Sequence, residues 1–343
     1  MCKKNPPDIN LEIFTANQHK PARTAGLFRI TSLYGSWLIL LLLFTACSRQ
    51  TQPDGLLIAV SIPPQTWFVS QIAGEKAVCM ALVEPGQNPH NYEPGPKQIR
   101  ALASARAWVL SGTEFEISLR PKTAALFPNL LIVDGTEGVR FRTLEEHDDL
   151  VPDGVVHDGV IHDGEHSSLA VDRHTWLGRE PAKILAAHIR DTLCAVDGAN
   201  EAYYVEQCEL LVRLIDEEFD KLKIELAPLE GKSVFVYHPS FGYFLDEFGI
   251  TQVAVETGGK EPGPRELGNL IAKMKEERPS AIFVQSQFPV NAAKTVASAV
   301  GAQVIALDHL APDWLENIRF MGQILKSAAM SEGDSGSQEG AAP

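Results

Sequence analysis

The 343-residue sequence lacks several motifs on which common enzyme classes depend. It contains no CxxC, which argues against a thiolate-ligated zinc site. It also contains no HExxH, GxSxG or P-loop, which argues against the hydrolases and nucleotide-binding enzymes that use them. Basic residues are few, with 30 Lys and Arg against 44 Asp and Glu and a net charge of −14. Because phosphate binding needs clustered basic side chains, we expect no nucleic-acid partner. The acidic balance does not argue against a cation as the ligand.

The sequence has no apolar run long enough to cross a bilayer, which takes about 20 residues. The longest run, residues 37–44 (WLILLLLF), follows Arg23 and Arg29 and precedes small residues. This layout is typical of a secretory signal. Residues 43–47 (LFTAC) also resemble a bacterial lipobox, in which Cys47 would carry lipid and become the first mature residue. The alternative is an ordinary signal peptide with an incidental cysteine. Removal of residues 1–46 leaves 25 basic and 42 acidic residues, a net charge of −17.

Cysteine is scarce, with five in the whole chain. Export would place the mature chain in an oxidising compartment, where disulfides persist. A bridge between Cys194 and Cys208 is conceivable, and free buried thiols are the alternative. Spacing in the sequence does not decide between them.

Short apolar runs alternate with helical patterns along the mature chain. The predicted strands are residues 56–60, 78–83, 107–110, 130–133, 233–237, 251–255, 281–284 and 303–307. The predicted helices are residues 65–73, 96–105, 180–196, 199–226, 241–248, 264–277, 291–300 and 314–328. Strands separated by helices predict βαβ units and parallel sheets. The helix 199–226 would be about 42 Å long, longer than a typical domain helix.

These patterns predict an α/β fold with two lobes joined by one long helix. The predicted parts are the N-terminal lobe 47–198, the connecting helix 199–227, the C-terminal lobe 228–329 and a disordered tail 330–343. Within the first lobe, the periodicity stops over residues 145–171, where Asp, Gly and His dominate. This composition indicates a mobile loop. Its histidines are His147, His157, His162 and His166.

Four residues stand where an α/β protein binds its ligand, at or near the carboxyl ends of strands. His90 lies in a turn-rich segment after the second strand, and His174 precedes the central helix pair. His238 and Asp308 each follow a strand of the second lobe directly. Three imidazoles and a carboxylate suit a borderline divalent ion, zinc above all, held in the cleft between the lobes. The alternatives are solvated histidines and an aspartate that caps a helix.

The segments around these residues resemble the bacterial solute-binding proteins that deliver zinc or manganese to ABC importers. The matching segments are residues 86–94 (GQNPHNYEP), 172–177 (DRHTWL), 238–244 (HPSFGYF), 259–264 (GKEPGP), 285–288 (QSQF) and 307–308 (LD). They occur in the family's order between about residues 56 and 325. The resemblance implies two pseudo-symmetric lobes with mostly parallel sheets, one long rigid connecting helix and a metal ion in the cleft.

The resemblance further implies a function outside the cytoplasm. The chain would capture Zn²⁺ and deliver it to an ABC permease and its ATPase, without enzymatic activity. It would act as a monomer, in the periplasm or at the outer face of the cytoplasmic membrane, anchored by lipid on Cys47. Members that bind zinc carry a His-rich loop before the second ligand, so residues 145–171 would be an auxiliary metal loop. A solvated acidic linker is the alternative for that loop.

Some residues depart from the family pattern. Arg173 replaces the usual proline beside His174. His309 replaces the proline after Asp308 and adds a possible donor beside the site. An imidazole at position 238 favours zinc over manganese, which prefers oxygen ligands. A zinc-dependent hydrolase is a competing function, although four protein ligands would leave no position for a reactive water. A surface adhesin or metal-buffering lipoprotein would share the fold and the site.

Overall fold

A computed structural model of the chain describes residues 55–144, 171–256, 263–288 and 290–335. The predicted signal segment with Cys47 and the four loop histidines lie outside these residues, as do residues 336–343 of the predicted tail. In the part of the chain that is described, no helix has both the length and the apolar character that crossing a membrane requires. The predicted lobe boundaries remain predictions.

The first sheet is formed by four parallel strands in the order β2-β1-β3-β4. The strands are β1 (Leu56–Val60), β2 (Ala77–Ala81), β3 (Ala107–Leu110) and β4 (Leu131–Asp134). The helices between them are α1 (Pro63–Ala73), α2 (Pro96–Ser104) and α3 (Glu114–Leu126). All four residues of the inner strand β3 are buried. Burial on both faces explains why this strand is a continuous apolar run in the sequence.

The second sheet repeats this topology. Its strands are β7 (Ser233–Val236), β8 (Thr251–Ala254), β9 (Ala281–Val284) and β10 (Gln303–Ala306). Its helices are α6 (Gly242–Asp246), α7 (Pro264–Glu277), α8 (Val290–Val300) and α9 (Trp314–Ser335). The strands are parallel in the order β8-β7-β9-β10, so the second, first, third and fourth strands follow one another in both sheets. The predicted α/β fold with two related parallel sheets is therefore confirmed.

Two helices that pack against each other, α4 (Arg179–Val196) and α5 (Glu201–Leu226), follow the first sheet in the sequence and precede the second. The 26 residues of α5 make a rod of about 39 Å. Its buried stripe includes Ile215, Phe219 and Leu222. A β-carbon added at Gly322 of α9 would lie 2.3 Å from Leu222 Cδ2, so glycine permits the close approach of these helices. One continuous hydrophobic core includes residues of both sheets and of α5.

A short antiparallel pair joins β5 (Arg142–Thr143) and β6 (Val171–Asp172). These strands flank the segment predicted as the His-rich loop. Their register places Arg142 opposite Asp172.

Two helices differ from the prediction by more than two residues at an end. The helix α3 was not predicted, because Pro121 lies in its interior and proline normally ends a helix. Helix α9 continues to Ser335, past the predicted end at residue 328 and into the segment predicted to be disordered. Residues 328–330 (AAM) have high helix propensity, which favours this continuation.

The described cysteines are free thiols. Cys194 of α4 and Cys208 of α5 form no disulfide, and Cys79 of β2 has no bridge either. Of the two alternatives for Cys194 and Cys208, the structure has the free thiols.

Candidate metal site

Three histidines from distant parts of the chain meet at the carboxyl ends of the strands. His90 lies on a 3₁₀ turn, Pro89–Asn91, where its backbone N–H donates to Asn88 Oδ1 at 2.9 Å. His174 immediately precedes a second turn, Thr175–Leu177. His238 follows β7 after a single residue. Parallel strands bring their carboxyl ends to one edge of each sheet, which is how both lobes contribute to one site.

The three ring Nε2 atoms face one another. His238 Nε2 lies 3.0 Å from His90 Nε2 and 3.3 Å from His174 Nε2. All three histidines offer a ligand atom within 4.8 Å of the others. An ion with tetrahedral bonds of about 2.0–2.1 Å, as zinc has to nitrogen, separates its donors by about 3.3 Å. The spacing therefore matches the donor set of a tetrahedral zinc ion.

Each ring is oriented by a carboxylate at its other nitrogen. His90 Nδ1 lies 2.9 Å from Glu114 Oε2. His174 Nδ1 lies 2.9 Å from Asp172 Oδ1, and His238 Nδ1 lies 3.1 Å from Glu256 Oε1. Because an ionised carboxylate only accepts hydrogen bonds, each Nδ1 must donate its hydrogen.

This hydrogen-bond pattern determines where the free lone pairs point. With hydrogen on each Nδ1, the unprotonated Nε2 atoms direct three lone pairs at a common point. Such an arrangement is repulsive by itself and is relieved by a cation. Carboxylate–histidine–metal triads are the usual way in which proteins orient imidazole ligands. The donor set therefore fits a divalent ion.

The charge states of these groups suit a ligand site at neutral pH. Burial lowers the pKa of His238 to about 4, although the hydrogen bond to Glu256 opposes the shift. Burial would raise the pKa of Asp172, but its bonds to His174 and the charge of Arg142 outweigh burial and lower the pKa. The pKa of Glu114 is lowered in the same way, through His90. His238 is thus a neutral imidazole at pH 7, and the carboxylates of Asp172 and Glu114 are ionised.

Contacts between the two lobes hold Asp172, the carboxylate that orients His174. Arg142 donates to Asp172 Oδ2 at 2.8 Å and also binds Asp246 of α6. The Tyr243 hydroxyl donates to the Asp172 carbonyl at 2.9 Å. Asp172 is fully buried, so these partners compensate the cost of its burial.

The predicted fourth ligand, Asp308, lies outside the three-histidine group. It follows β10, as predicted, but its Oδ1 accepts from Gln287 Nε2 and from the backbone N–H of Leu310, both at 2.9 Å. Of the four predicted ligands, the structure thus brings His90, His174 and His238 together.

Sequence reasoning did not identify two of the three orienting carboxylates as part of the site. Glu114 begins α3, the helix that Pro121 obscured. Glu256 follows β8 after one residue, so the carboxyl end of a predicted strand was a signal that pointed to it. Asp172 was quoted in the segment around His174 but was given no role.

Comparison with known proteins agrees with the fold. The sequence model of the family described as "Zinc-uptake complex component A periplasmic" (ZnuA) matches residues 58–328. The zinc-binding lipoprotein AdcA of Streptococcus pneumoniae is 28% identical over 282 residues, 78% of this chain and 53% of AdcA. This chain therefore spans about half the length of that relative.

Two further matches cover most of both proteins. The high-affinity zinc uptake system protein ZnuA of Bacillus subtilis is 25% identical over 299 residues, which cover 83% of this chain and 88% of that protein. A crystal structure of ZnuA is similar with a TM-score of 0.70 and 30% identity. That match covers 80% of this chain and 100% of the other.

Proposed function

Because this chain belongs to the ZnuA family of zinc-uptake components, we propose that it is the extracytoplasmic metal-binding component of a zinc ABC importer. One observation carries the proposal. Three buried or half-buried imidazoles direct their Nε2 atoms at a common point, with separations of 3.0 and 3.3 Å, while carboxylates hold their Nδ1 atoms.

The metal that this site favours is zinc. Three imidazole nitrogens form the converging group, and imidazole suits zinc, whereas manganese prefers carboxylate and carbonyl oxygens. Copper and nickel also bind imidazoles well, so selectivity among these metals depends on geometry and availability. Asp308 stays a candidate for the remaining coordination position, from the C-terminal lobe.

Capture and delivery of the ion would consist of binding and release, with no reaction at the metal. The carboxylates hold the imidazoles in the orientation that an ion needs, so little ordering is required on binding. The continuous core across both sheets argues against a wide hinge motion of the lobes. Release would then require the importer to disturb the ligands. The chain would be a transport component rather than an enzyme.

The proposal includes the cellular setting that the sequence predicts. Cys47 would carry a lipid anchor, which places the chain in the periplasm or on the outer face of the cytoplasmic membrane, next to an ABC permease and its ATPase. The predicted charge of −17 on the mature chain attracts cations through the general field. The histidines of residues 145–171 would gather metal near the site.

Metal titration tests the proposed function. Purified protein is stripped of metal with a chelator and titrated with Zn²⁺ and, separately, with Mn²⁺ in a calorimeter. We expect submicromolar zinc affinity and much weaker manganese binding. Submicromolar manganese affinity with weak zinc binding would contradict the assignment. Hydrolysis of standard ester or phosphate substrates by the zinc-loaded protein would instead favour an enzyme.

A further inference from the structure

Arg173 stands where the resembled family has proline, immediately before the ligand histidine His174. Proline carries neither a charge nor a backbone N–H. A guanidinium is always charged and presents five N–H donors in a fixed plane. A positive charge beside a metal ligand opposes the binding of a cation unless an anion neutralises it. The partners of this guanidinium therefore bear on the strength of the site.

The guanidinium of Arg173 reaches the carboxylate that orients His90. Its Nε lies 3.7 Å from Glu114 Oε1, and the other carboxylate oxygen, Oε2, lies 2.9 Å from His90 Nδ1. The two oxygens of Glu114 thus face two different partners, a cation and an imidazole. With a partner at each oxygen, the carboxylate has one favoured orientation.

Arg173 is itself held by the loop that precedes Glu114. Its Nη1 donates to the Gly112 carbonyl at 2.9 Å. The backbone N–H of Gly112 donates to Glu116 Oε2 at 2.8 Å, and that of Ser111 donates to Glu116 Oε1 at 2.7 Å. Because Glu116 is buried, the loop is fixed by a partner that water does not displace. The guanidinium therefore joins an ordered loop to the end of β6.

The contact lies on the exposed side of the site. The side chains of His90 and Glu114 are 27% and 40% exposed, and that of Arg173 is 31% exposed. Water competes for the oxygens of an exposed carboxylate, which leaves the imidazole bound to it less firmly oriented. A guanidinium that is itself fixed limits this competition.

The same arrangement of an arginine behind a carboxylate occurs at the other histidine of the first lobe. Asp172 accepts from His174 Nδ1 through Oδ1 at 2.9 Å and from Arg142 Nη1 through Oδ2 at 2.8 Å. In both cases one carboxylate oxygen orients an imidazole while the other faces a guanidinium. Since metal ligands depend on such outer partners for their orientation, the second occurrence supports a role for Arg173 in the site.

We propose that Arg173 is a positioning residue for His90 and acts through Glu114. Its guanidinium holds the carboxylate so that Oε2 stays on His90 Nδ1, which keeps the Nε2 lone pair of His90 directed at the ion. The inference rests on the proposed zinc site. Because residues 173 and 174 are adjacent, the segment that supplies one ligand also orients another, and the two ligands of the first lobe are held as a unit.

A double-mutant cycle tests whether Arg173 acts through Glu114. Chelator competition measures the zinc affinity of the wild type, Arg173→Gln, Glu114→Gln and the double variant. We expect Arg173→Gln to weaken zinc binding about 2- to 5-fold, the range of a partly exposed ion pair. In the Glu114→Gln background the same substitution should not weaken binding, because the carboxylate that Arg173 holds is gone. Arg106→Gln, at an exposed arginine just before β3, is the matched control and should leave zinc affinity unchanged.

Nitrogen NMR of the metal-free protein adds a readout that a change in stability alone would not move. Long-range ¹H–¹⁵N spectra of protein with ¹⁵N-labelled histidine show which ring nitrogen of each histidine carries the hydrogen. We expect the hydrogen of His90 on Nδ1 in the wild type and divided between both ring nitrogens in Arg173→Gln. The signals of His174 and His238 should stay unchanged. His188 of α4, which bonds a backbone carbonyl outside the site, is the internal reference.

The other outcomes overturn the inference in distinguishable ways. Unchanged or tighter zinc binding by Arg173→Gln would show that the guanidinium does not support the site. Equal weakening with and without the Glu114 carboxylate, or unchanged signals of His90, would show that Arg173 does not act through Glu114. A wild type that binds no zinc would overturn the proposed function, while the metal-free spectra would still decide the role of Arg173. If Arg173→Gln does not fold, Arg173→Pro introduces the residue of the resembled family and gives the same comparison.

Discussion

The two sheets have one strand order, but equivalent strand ends carry different chemistry. Beyond β1, Ser61 accepts a hydrogen bond from Trp108 Nε1 at 3.1 Å, and its backbone N–H donates to Gln65 Oε1 at 2.8 Å. These bonds serve the core of the lobe. Beyond the equivalent strand β7, Tyr237 takes the place of Ser61, and His238, the central imidazole of the site, follows it. A shared topology therefore supplies equivalent strand ends, and the residues that follow them decide whether an end supports the fold or a ligand.

The three imidazole–carboxylate pairs differ in how well they are protected from water, and the side chains of the His174–Asp172 pair of the first lobe are only 4% and 0% exposed. The side chains of His90 and Glu114, from the first lobe, are 27% and 40% exposed. Those of His238 and Glu256, from the second lobe, are 8% and 4% exposed. Water can replace a lost partner in the first pair but not in the second. We therefore expect substitutions at the His238–Glu256 pair to have larger effects than those at the His90–Glu114 pair.

The largest effect should follow the loss of the central imidazole. His238 contacts both other histidines, so His238→Ala leaves two donors that no longer surround a common point. We expect zinc affinity to fall by more than about 100-fold, beyond the loss that removal of an outer partner produces. Calorimetry and bound-metal analysis measure the change, with His188→Ala as the control. Unchanged zinc content in His238→Ala would show that the ion binds elsewhere.

The orienting carboxylates Glu256 and Glu114 provide the most direct comparison of the buried and the exposed pair. Glu256→Gln keeps an acceptor of similar shape but removes the charge, and we expect zinc affinity to fall by about 10- to 100-fold. Glu114→Gln, at the exposed pair, should weaken binding by about 10-fold or less, since solvent can substitute. Chelator competition measures the zinc affinity of both variants. An effect of Glu114→Gln equal to or larger than that of Glu256→Gln would refute the difference in protection.

A smaller effect, on the stability of the fold, is expected at Arg142, whose bonds hold the lobes together. Arg142→Met removes the bonds to Asp172 and Asp246, which leaves one oxygen of a fully buried carboxylate without its cation. The free energy of unfolding should fall by at least about 1 kcal/mol, the lower bound for a buried polar group left without its partner. Urea denaturation measures it, and the exposed Arg140→Met is the matched control. Equal stability of the two variants would mean that this contact does not stabilise the fold.

The smallest effect is predicted for a surface pair of the first lobe. Lys97 Nζ lies 2.7 Å from Glu84 Oε1, but the side chains are 70% and 45% exposed. Lys97→Ala should change the free energy of unfolding by less than about 1 kcal/mol and leave zinc affinity unchanged. A clear change in affinity would show that surface charge, and not the imidazole geometry alone, contributes to capture.

Much of the fold was predictable because its signals are local. The strands β3 and β9 and the helix α7 have the predicted bounds, since short buried apolar runs and a proline at a helix start mark them. The family resemblance is confirmed by the match over residues 58–328. Helix α3 was missed because Pro121 is a local signal that the tertiary packing overrides.

The site was predictable in part. The three histidines that converge were found from their positions at or near strand ends and from the sequence motifs around them. No recognisable motif surrounds Glu114 or Glu256 in the sequence. The role of each depends on a histidine far away in the chain. The contact between His238 and His90, for instance, spans 148 residues.

The sequence by itself determined the alternation of strands and helices, the family and the imidazole character of the site. These properties follow from local periodicity and from short motifs, which neighbouring residues encode. Only the tertiary structure decided which carboxylate orients which ring, that Asp308 bonds Gln287 and Leu310, and that His309 is buried with a ring that has no hydrogen-bond partner among the described residues. The contacts of His90 with Glu114, His238 with Glu256 and Asp308 with Gln287 join residues 18 to 24 positions apart, so tertiary packing, and no local pattern, sets their distances.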